Sequence, residues 1–193
     1  MFDRARDLWA RYGAAGVAAR IWSRTFGLIV DVDLTTTVRV PLPVSFSPLP
    51  GYRYERVVAG TPRFVEAAVL LHVDPRERLR QEAYVAIAAD DSVVACTFND
   101  PVSEQIAHGR GTNVALDHRG RSLGGNIIRY FAQEVARQGA REARFHVVST
   151  NHSSRRMLQK LGAQPIERWI FVILFRRFRF GHRFNVSTSP RND

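Results

Sequence analysis

The order of apolar segments and turn residues predicts an α+β domain with a mixed, mainly antiparallel sheet flanked by helices, preceded by a helical N-terminal extension. Residues 82–100 read as two strands joined by a turn at Asp90-Asp91-Ser92, which is the pattern of a hairpin. Farther along, a strand, a helix and another strand follow one another in the order of a crossover connection. The chain has 193 residues, 45% of them hydrophobic, which suffices for one domain with a buried core.

The first elements follow from local signals. Residues 2–26 have the spacing of amphipathic helices interrupted at Gly13 and Gly16, and residues 28–40 are rich in β-branched residues. Residues 41–51 hold four of the nine prolines, and we interpret them as a linker. A strand over 52–58 precedes a helix for which Thr61 is the expected N-cap and Pro62 the first helical residue.

The later elements complete the predicted domain. A strand over 111–117 leads to a helix over 123–138 that ends at Gly139, and apolar residues recur there at i+4 spacing: Leu123, Ile127, Phe131 and Val135. A strand over 143–150, a short helix over 151–162 and a strand over 165–175 follow. We therefore expect three parts: an N-terminal extension and linker over 1–50, a main domain over 51–175 and a basic aromatic tail over 176–193.

A basic turn with the sequence HRGRSLGG, residues 118–125, lies between the strand and the helix that begins at Leu123. Such a turn directs several backbone N–H groups to one place, and the helix dipole adds partial positive charge. Glycines at 120, 124 and 125 permit close backbone approach, while Arg119 and Arg121 add charge. The stretch predicts a site for an anion such as pyrophosphate; the alternative is an ordinary strand-to-helix turn.

A second stretch, NHSSRRMLQKLGA over 151–163, follows after one more strand. Together the two stretches resemble the GNAT superfamily of N-acyltransferases, in which Arg/Gln-x-x-Gly-x-Gly/Ala at a helix start follows a strand ending in valine, and Asn-x-x-Ala/Ser, a Leu-Tyr pair and Gly-Phe come later. The matching residues are Val114, Arg119, Ser122, Gly124, Asn151, Ser154, Met157-Leu158 and Gly162-Ala163. The resemblance covers residues 52–175.

Ser122 replaces the first signature glycine, which a turn with negative φ would accommodate. Leu158 lies where many members carry a tyrosine that protonates the leaving thiolate.

The resemblance implies an N-acetyltransferase that moves an acetyl or other acyl group from acyl-CoA to an amine, which attacks the thioester directly. It implies that the strand residues Asn113, Val114, Ala115 and Leu116 bind the pantetheine arm, and that a backbone N–H near Val114 holds the developing oxyanion. It further implies that the pyrophosphate lies on the turn, with Asn151 and Ser154 also at the cofactor. The turn residues are Arg119, Gly120, Arg121, Ser122, Leu123, Gly124 and Gly125.

The sequence does not single out the general base. His146 has a side-chain pKa suited to neutral pH, and Glu82 at the start of the hairpin is a second candidate. Asp100 and Glu104 are candidates for binding a cationic acceptor. Cys96 reads as a small core residue, and because the six histidines show no pair at ligand spacing, we expect no metal site.

Charge at the two ends bears on partners and location. Residues 1–26 hold five arginines and two aspartates, and residues 176–193 hold five arginines and one aspartate, so the ends carry seven of the ten excess positive charges. Residues 175–184 interleave arginine with phenylalanine, a pattern that suits an anionic membrane surface or single-stranded nucleic acid, and the alternative is an edge strand followed by a solvated tail. Two basic aromatic ends together favour a membrane surface, because nucleic acid is supported by charge alone. We expect a cytoplasmic protein, peripheral at the inner membrane face if these ends bind lipid, and a homodimer stays open. Alternatives are a CoA-binding or membrane-associated module of this fold with weak or no turnover, or an acyltransferase for longer acyl donors.

Overall fold

The computed structural model describes residues 30–174 and 178–185. The helices predicted within 2–26 lie outside the described residues, as do 175–177 and 186–193. The described residues form two compact units: a central unit of Val40–Phe145, and a terminal unit that combines residues 30–39 with residues 146–174 and 178–185. Strand β1 (Val30–Pro41) and strand β6 (Glu142–Val148) each contribute residues to both units. The predicted division of the chain at residues 50 and 175 stays a prediction.

The central unit contains a mixed sheet, which confirms the predicted fold class. Strands β2 (Arg53–Val58), β3 (Glu82–Ile87), β4 (Val93–Ser103) and β5 (Ile106–Val114) pair antiparallel in chain order. Strand β5 pairs in parallel with the first residues of β6, as the predicted crossover requires.

Helix α1 (Pro62–Leu71) covers one face of this sheet. Its start follows the predicted signals, because the Thr61 side chain accepts a hydrogen bond from the Phe64 N–H and Pro62 is the first helical residue. Phe64 is 1% exposed, and its ring meets Phe98 of β4 edge-on at a centroid distance of 5.3 Å. Truncating a buried phenylalanine to alanine costs about 3–5 kcal/mol, so this contact contributes a large share of the stability of the unit.

Helix α2 (Leu123–Arg137) covers the opposite face. The four predicted i+4 positions are all buried: Leu123, Ile127, Phe131 and Val135. Phe131 packs against Tyr84 of β3 at 5.1 Å between ring centroids, whereas the flanking Ala83 and Val85 pack with α1. Since alternate side chains of a strand point to opposite faces, β3 lies between the two helices.

The segment before β2, predicted as a linker, lies along α2. The Asn126 side-chain amide donates to the Ser47 carbonyl at 2.9 Å, and Arg129 donates to the Ser45 carbonyl at 3.3 Å. Phe46 packs between Tyr54 of β2 and Tyr130 of α2, with ring centroids 5.0 and 5.2 Å away. The proline-rich segment is therefore part of the packed central unit.

The terminal unit holds an antiparallel β arrangement and one short helix. Strand β7 (Gln164–Leu174) pairs with β1 and with strand β8 (Phe178–Asn185), and helix α3 (His152–Gln159) precedes β7. Part of the predicted basic tail is thus a strand. Its contact with an anionic membrane surface stays a prediction.

One predicted strand boundary is wrong. Strand β5 begins five residues earlier than expected, at Ile106, and ends at Val114, so Leu116 does not belong to it. Ala115 still donates to the Val94 carbonyl at 2.8 Å, but Leu116–His118 form a short 3-10 helix. The polar residues Asp117 and His118 lie in this turn, where the chain leaves the sheet.

Candidate functional site

The turn between β5 and α2 has an unusual backbone conformation. Gly120 has φ +78°, and Ser122, the residue before the helix, has φ +61° and ψ 7°. The turn therefore does not have the negative φ at Ser122 that would accommodate a serine there. The left-handed conformation favours glycine, because glycine has no Cβ. The serine therefore replaces the signature glycine at a position where a Cβ is sterically unfavourable.

The first amide groups of α2 are not capped by a side chain. Ser122 makes no side-chain cap hydrogen bond, and the Asn126 N–H donates to the Ser122 carbonyl at 3.1 Å. The N–H groups of Leu123, Gly124 and Gly125 precede this bond and have no acceptor within the helix. Together with the helix dipole they form a donor set suited to an anion.

The two turn arginines have different surroundings. Arg119 folds back on the strand end, where its Nε donates to the Val114 carbonyl at 2.9 Å and its Nη2 to Asn113 Oδ1 at 3.2 Å. Arg121 is exposed. Arg119 thus fixes the turn, and Arg121 is the one placed to meet a ligand.

The Asn113 side chain joins two backbone groups and the side chain of Arg119. Its Nδ2 donates to the Leu70 carbonyl of α1 at 2.6 Å, and its Oδ1 accepts from the Val114 N–H at 2.9 Å as well as from Arg119. The Val114 N–H, which the resemblance assigns to the oxyanion, therefore has an internal acceptor in this structure.

A cavity of about 580 Å³ opens beside the turn. It is lined by residues 49–52, residues 88–90, His118 and Arg121. The Tyr52 hydroxyl and His118 Nδ1 lie 3.0 Å apart. The Ser92 hydroxyl and amide hold the pKa of Asp90 below its usual range, so this carboxylate is ionised at pH 7; Arg121 is another of the lining residues.

The two candidate bases named from sequence lie in different places. Glu82 is bound by Arg56, whose Nε and Nη2 reach its carboxylate oxygens at 2.9 and 2.5 Å, and it also accepts from the Tyr84 hydroxyl at 3.2 Å. His146 is exposed on the terminal-unit part of β6, with its Nδ1 3.0 Å from the Thr37 hydroxyl.

A row of three ionisable side chains, which the sequence analysis did not identify, crosses three strands of the central unit. His108 of β5 lies opposite Asp100 of β4 on one side and Arg144 of β6 on the other. Among the described residues, its Nδ1 is buried and has no hydrogen-bond partner. Burial, followed by the nearby Arg110 charge, lowers the pKa of His108 from its usual value, so the ring is neutral at pH 7.

The carboxylate of Asp100 and that of Glu142, which lies two residues before Arg144 on β6, already accept hydrogen bonds from arginines. Asp100 accepts from Arg110 Nε at 2.6 Å and from Gln81 Nε2 at 2.5 Å, and Glu142 accepts from Arg144 Nε at 2.6 Å. Glu104, the other acid considered for a cationic acceptor, is exposed in the turn between β4 and β5.

The sequence matches the model of the acetyltransferase (GNAT) family over residues 55–163, which is more than half of the chain. The chain belongs to the GNAT family. Members of this family are acetyltransferases that use acyl-CoA as co-substrate. No curated protein matches the chain.

Solved structures of GNAT proteins share this fold. A protein described as a GNAT-family acetyltransferase from Novosphingobium aromaticivorans superposes with a TM-score of 0.61 at 18% identity, covering 75% of this chain and 64% of its own. A GCN5-related N-acetyltransferase from Sphaerobacter thermophilus gives 0.57 at 15% identity, covering 91% and 59%. A tandem GNAT protein from the clavulanic acid biosynthesis pathway gives 0.60 at 20% identity, covering 81% and 58%. The chain spans less than two thirds of each of these proteins.

The second GNAT stretch lies at helix α3 in the terminal unit. Asn151 is the N-cap of this helix, and its Oδ1 accepts from the Ser154 N–H at 3.1 Å. Leu158, at the position of the usual GNAT tyrosine, is 3% exposed. The cofactor contacts of Asn151 and Ser154 that the resemblance implies stay predictions.

The remaining observations concern the single cysteine, metal binding and membrane-spanning helices. Cys96 is fully buried against α1, with its Sγ 3.4 Å from the Ala67 carbonyl, which confirms it as a core residue. Within residues 30–174 and 178–185, no three His, Cys, Asp or Glu side chains are grouped so as to hold a metal ion. Over the same residues, no helix has the length and hydropathy to span a bilayer.

Proposed function

We propose that this protein transfers an acyl group, acetyl in the simplest case, from acyl-CoA to an amine. The observation that carries this proposal is the uncapped start of α2 directly after the left-handed residue Ser122, in a chain of a family that uses acyl-CoA. Three amide donors and a helix dipole converge there, which is the arrangement that binds a pyrophosphate.

Donor binding uses the central unit. The pyrophosphate accepts from the N–H groups at 123–125, and the exposed guanidinium of Arg121 neutralises part of its charge. The cavity bordered by Arg121 and His118 has room for the nucleotide end of the donor. Arg119 and Asn113 hold the strand end in place beneath it.

The oxyanion role of the Val114 N–H requires an exchange of partners. In the free protein this N–H donates to Asn113 Oδ1, so the thioester oxygen must displace the amide as acceptor when the donor binds. The displaced Oδ1 keeps Arg119 as a donor, which limits the cost of the exchange.

Proton transfer falls to His108. An amine acceptor has a pKa near that of lysine, about 10.4, and is almost fully protonated at pH 7, so a base must remove a proton before attack. His108 is neutral at this pH and has a buried nitrogen without a partner, whereas Arg56 binds the Glu82 carboxylate. His146 keeps its place as the alternative base.

His108 takes one proton from the bound ammonium, and the free amine forms the N–C bond with the carbonyl carbon. The C–S bond breaks, and the second amine proton passes through solvent to the departing sulfur, giving CoA as the thiol. His108 then releases its proton to water. Leu158 is an aliphatic side chain and supplies no proton, so solvent fills the role of the tyrosine.

Thiol release tests the proposal. Acetyl-CoA and longer acyl-CoA donors are incubated with a panel of amines, and CoA binding is measured separately by calorimetry. We expect CoA binding and amine-dependent thiol release. Binding without turnover for any donor would favour a CoA-binding module, and absence of binding would refute the proposal. Preference for a long acyl chain would favour the alternative donor.

A further inference from the structure

We propose that the acceptor is a primary amine that carries a carboxylate or phosphate beside its amino group, and that Arg78 binds this anionic group. The inference rests on the proposed acyl transfer and names the class of its acceptor. The acceptor would bind on the face of the central sheet on which His108 lies.

The charged side chains around His108 are three arginines and two acids. Arg110 and Arg144 pair with Asp100 and Glu142, and Arg78 is joined to Asp100 through the Gln81 side chain, so with His108 neutral these five charged groups sum to +1. Arg110 and Arg144 are held by the two carboxylates. An acceptor that is only cationic would thus meet a positive site whose carboxylates already have arginine partners, which opposes the expected role of Asp100 in binding a cation.

Arg78 differs from the other two arginines. Its Nη1 donates to the side-chain oxygen of Gln81, a neutral amide, at 2.8 Å. Its guanidinium carbon lies over the Phe98 ring at 5.6 Å from the centroid, which is a cation–π contact. A planar guanidinium has five donors in a fork that fits two oxygens of one carboxylate or phosphate.

A chain of hydrogen bonds joins Arg78 to the residue that lies opposite the proposed proton acceptor. Gln81 joins Arg78 to Asp100, and Asp100 lies opposite His108 in the register of β4 and β5. Phe98, which the guanidinium covers, lies opposite Arg110 in the same register. An amine at His108 therefore has its anionic substituent within the reach of Arg78 if the two groups are only a few atoms apart.

Matched acceptors test the inference with acetyl-CoA as donor. One pair is phenylalanine and 2-phenylethylamine, and the other is phosphoethanolamine and ethanolamine, so each pair differs only in the anionic group. We expect kcat/KM to favour the anionic member by about ten- to a hundredfold, since hydrogen bonds to charged groups are worth that much. The pair with the larger ratio identifies carboxylate or phosphate as the group recognised.

Two variants separate Arg78 from general charge. Arg78→Gln should reduce the ratio to near one, and Arg78→Lys should keep part of it. Arg80→Gln removes the same charge from an exposed neighbour and should keep the whole ratio. A wild-type ratio near one, an unchanged ratio in Arg78→Gln, or an equal loss in Arg80→Gln overturns the inference.

Failure of the proposed function would look different. If the wild type binds CoA but acylates no acceptor, the inference is tested by acceptor binding to the CoA-loaded protein. Phosphoethanolamine, but not ethanolamine, should then shift the NMR signals of the His108 ring. Arg78→Gln should abolish this shift. Absence of that preference overturns the inference as well. A reduced but measurable kcat in His108→Gln, with an unchanged acceptor ratio, would support both assignments independently.

Discussion

Glycine at position 122 should make the protein more stable. Ser122 has φ +61°, a conformation that costs an L-residue about 1–2 kcal/mol, and its side chain makes no cap hydrogen bond that would be lost. Glycine gives back about 0.5–1 kcal/mol through its larger loss of backbone entropy on folding. The balance is a gain of about 0.5–1 kcal/mol in the free energy of unfolding, which corresponds to about 1–4 °C in Tm for a chain of this size.

Calorimetric melting of Ser122→Gly and of Ser122→Ala decides the matter. Alanine removes the hydroxyl but keeps the Cβ, so it should leave Tm unchanged or lower it. If Ser122→Gly melts at or below the wild-type temperature, or if alanine raises Tm as much as glycine does, the steric account of this turn is wrong.

Three further predictions concern the proton acceptor, the donor turn and the last described strand. The wild-type kcat should fall as pH drops through the pKa of His108, which lies below about 6.5, because the imidazolium cannot accept a proton. The kcat of His108→Gln should not show this fall at acidic pH. If the variant shows the same fall, His108 is excluded as the base. Gly124→Val should weaken CoA binding by more than about tenfold, about 1.4 kcal/mol, in calorimetry, and unchanged affinity in a folded variant would remove this site. Phe184 is 44% exposed on β8, so Phe184→Ser should reduce salt-sensitive co-sedimentation with anionic vesicles. The control is Val69→Ser, at a position on α1 that is 63% exposed. Equal pelleting of the two variants would argue against a lipid contact through β8.

Local signals were sufficient for the helices of the central unit. The cap at Thr61-Pro62 and the i+4 apolar series that starts at Leu123 each depend on residues within a few positions of one another, and both were predicted correctly. The hairpin turn at Asp90 and Asp91 was equally readable, since acids and serine between two apolar runs are a local turn signal.

The start of β5 could not be predicted from local sequence signals. Residues 106–111 alternate small, polar and basic side chains without an apolar pattern, so the strand start was placed too late. Gly109 is required there because a Cβ would overlap the Phe145 ring, which is a contact between strands far apart in sequence. The register also shifts between Thr97 and Phe98, opposite Gly111, and such a shift decides which side chains share a face.

His108 was missed for the same reason. Its position opposite Asp100 and Arg144 depends on strand pairings and on the shifted register, none of which a single sequence specifies. The left-handed φ of Ser122 is likewise a property of the whole turn, because serine by itself favours the negative-φ regions.

The three-way hydrogen bonding of Asn113 limits how this domain can be altered by design. The position needs a donor for the Leu70 carbonyl and an acceptor for both Val114 and Arg119, all on a side chain short enough to stay within the sheet. Aspartate has no donor, serine is shorter, and glutamine adds a methylene group at a site that is 6% exposed. A library that recombines GNAT domains at the end of this strand should therefore exchange α1, the strand end and the following turn as one block.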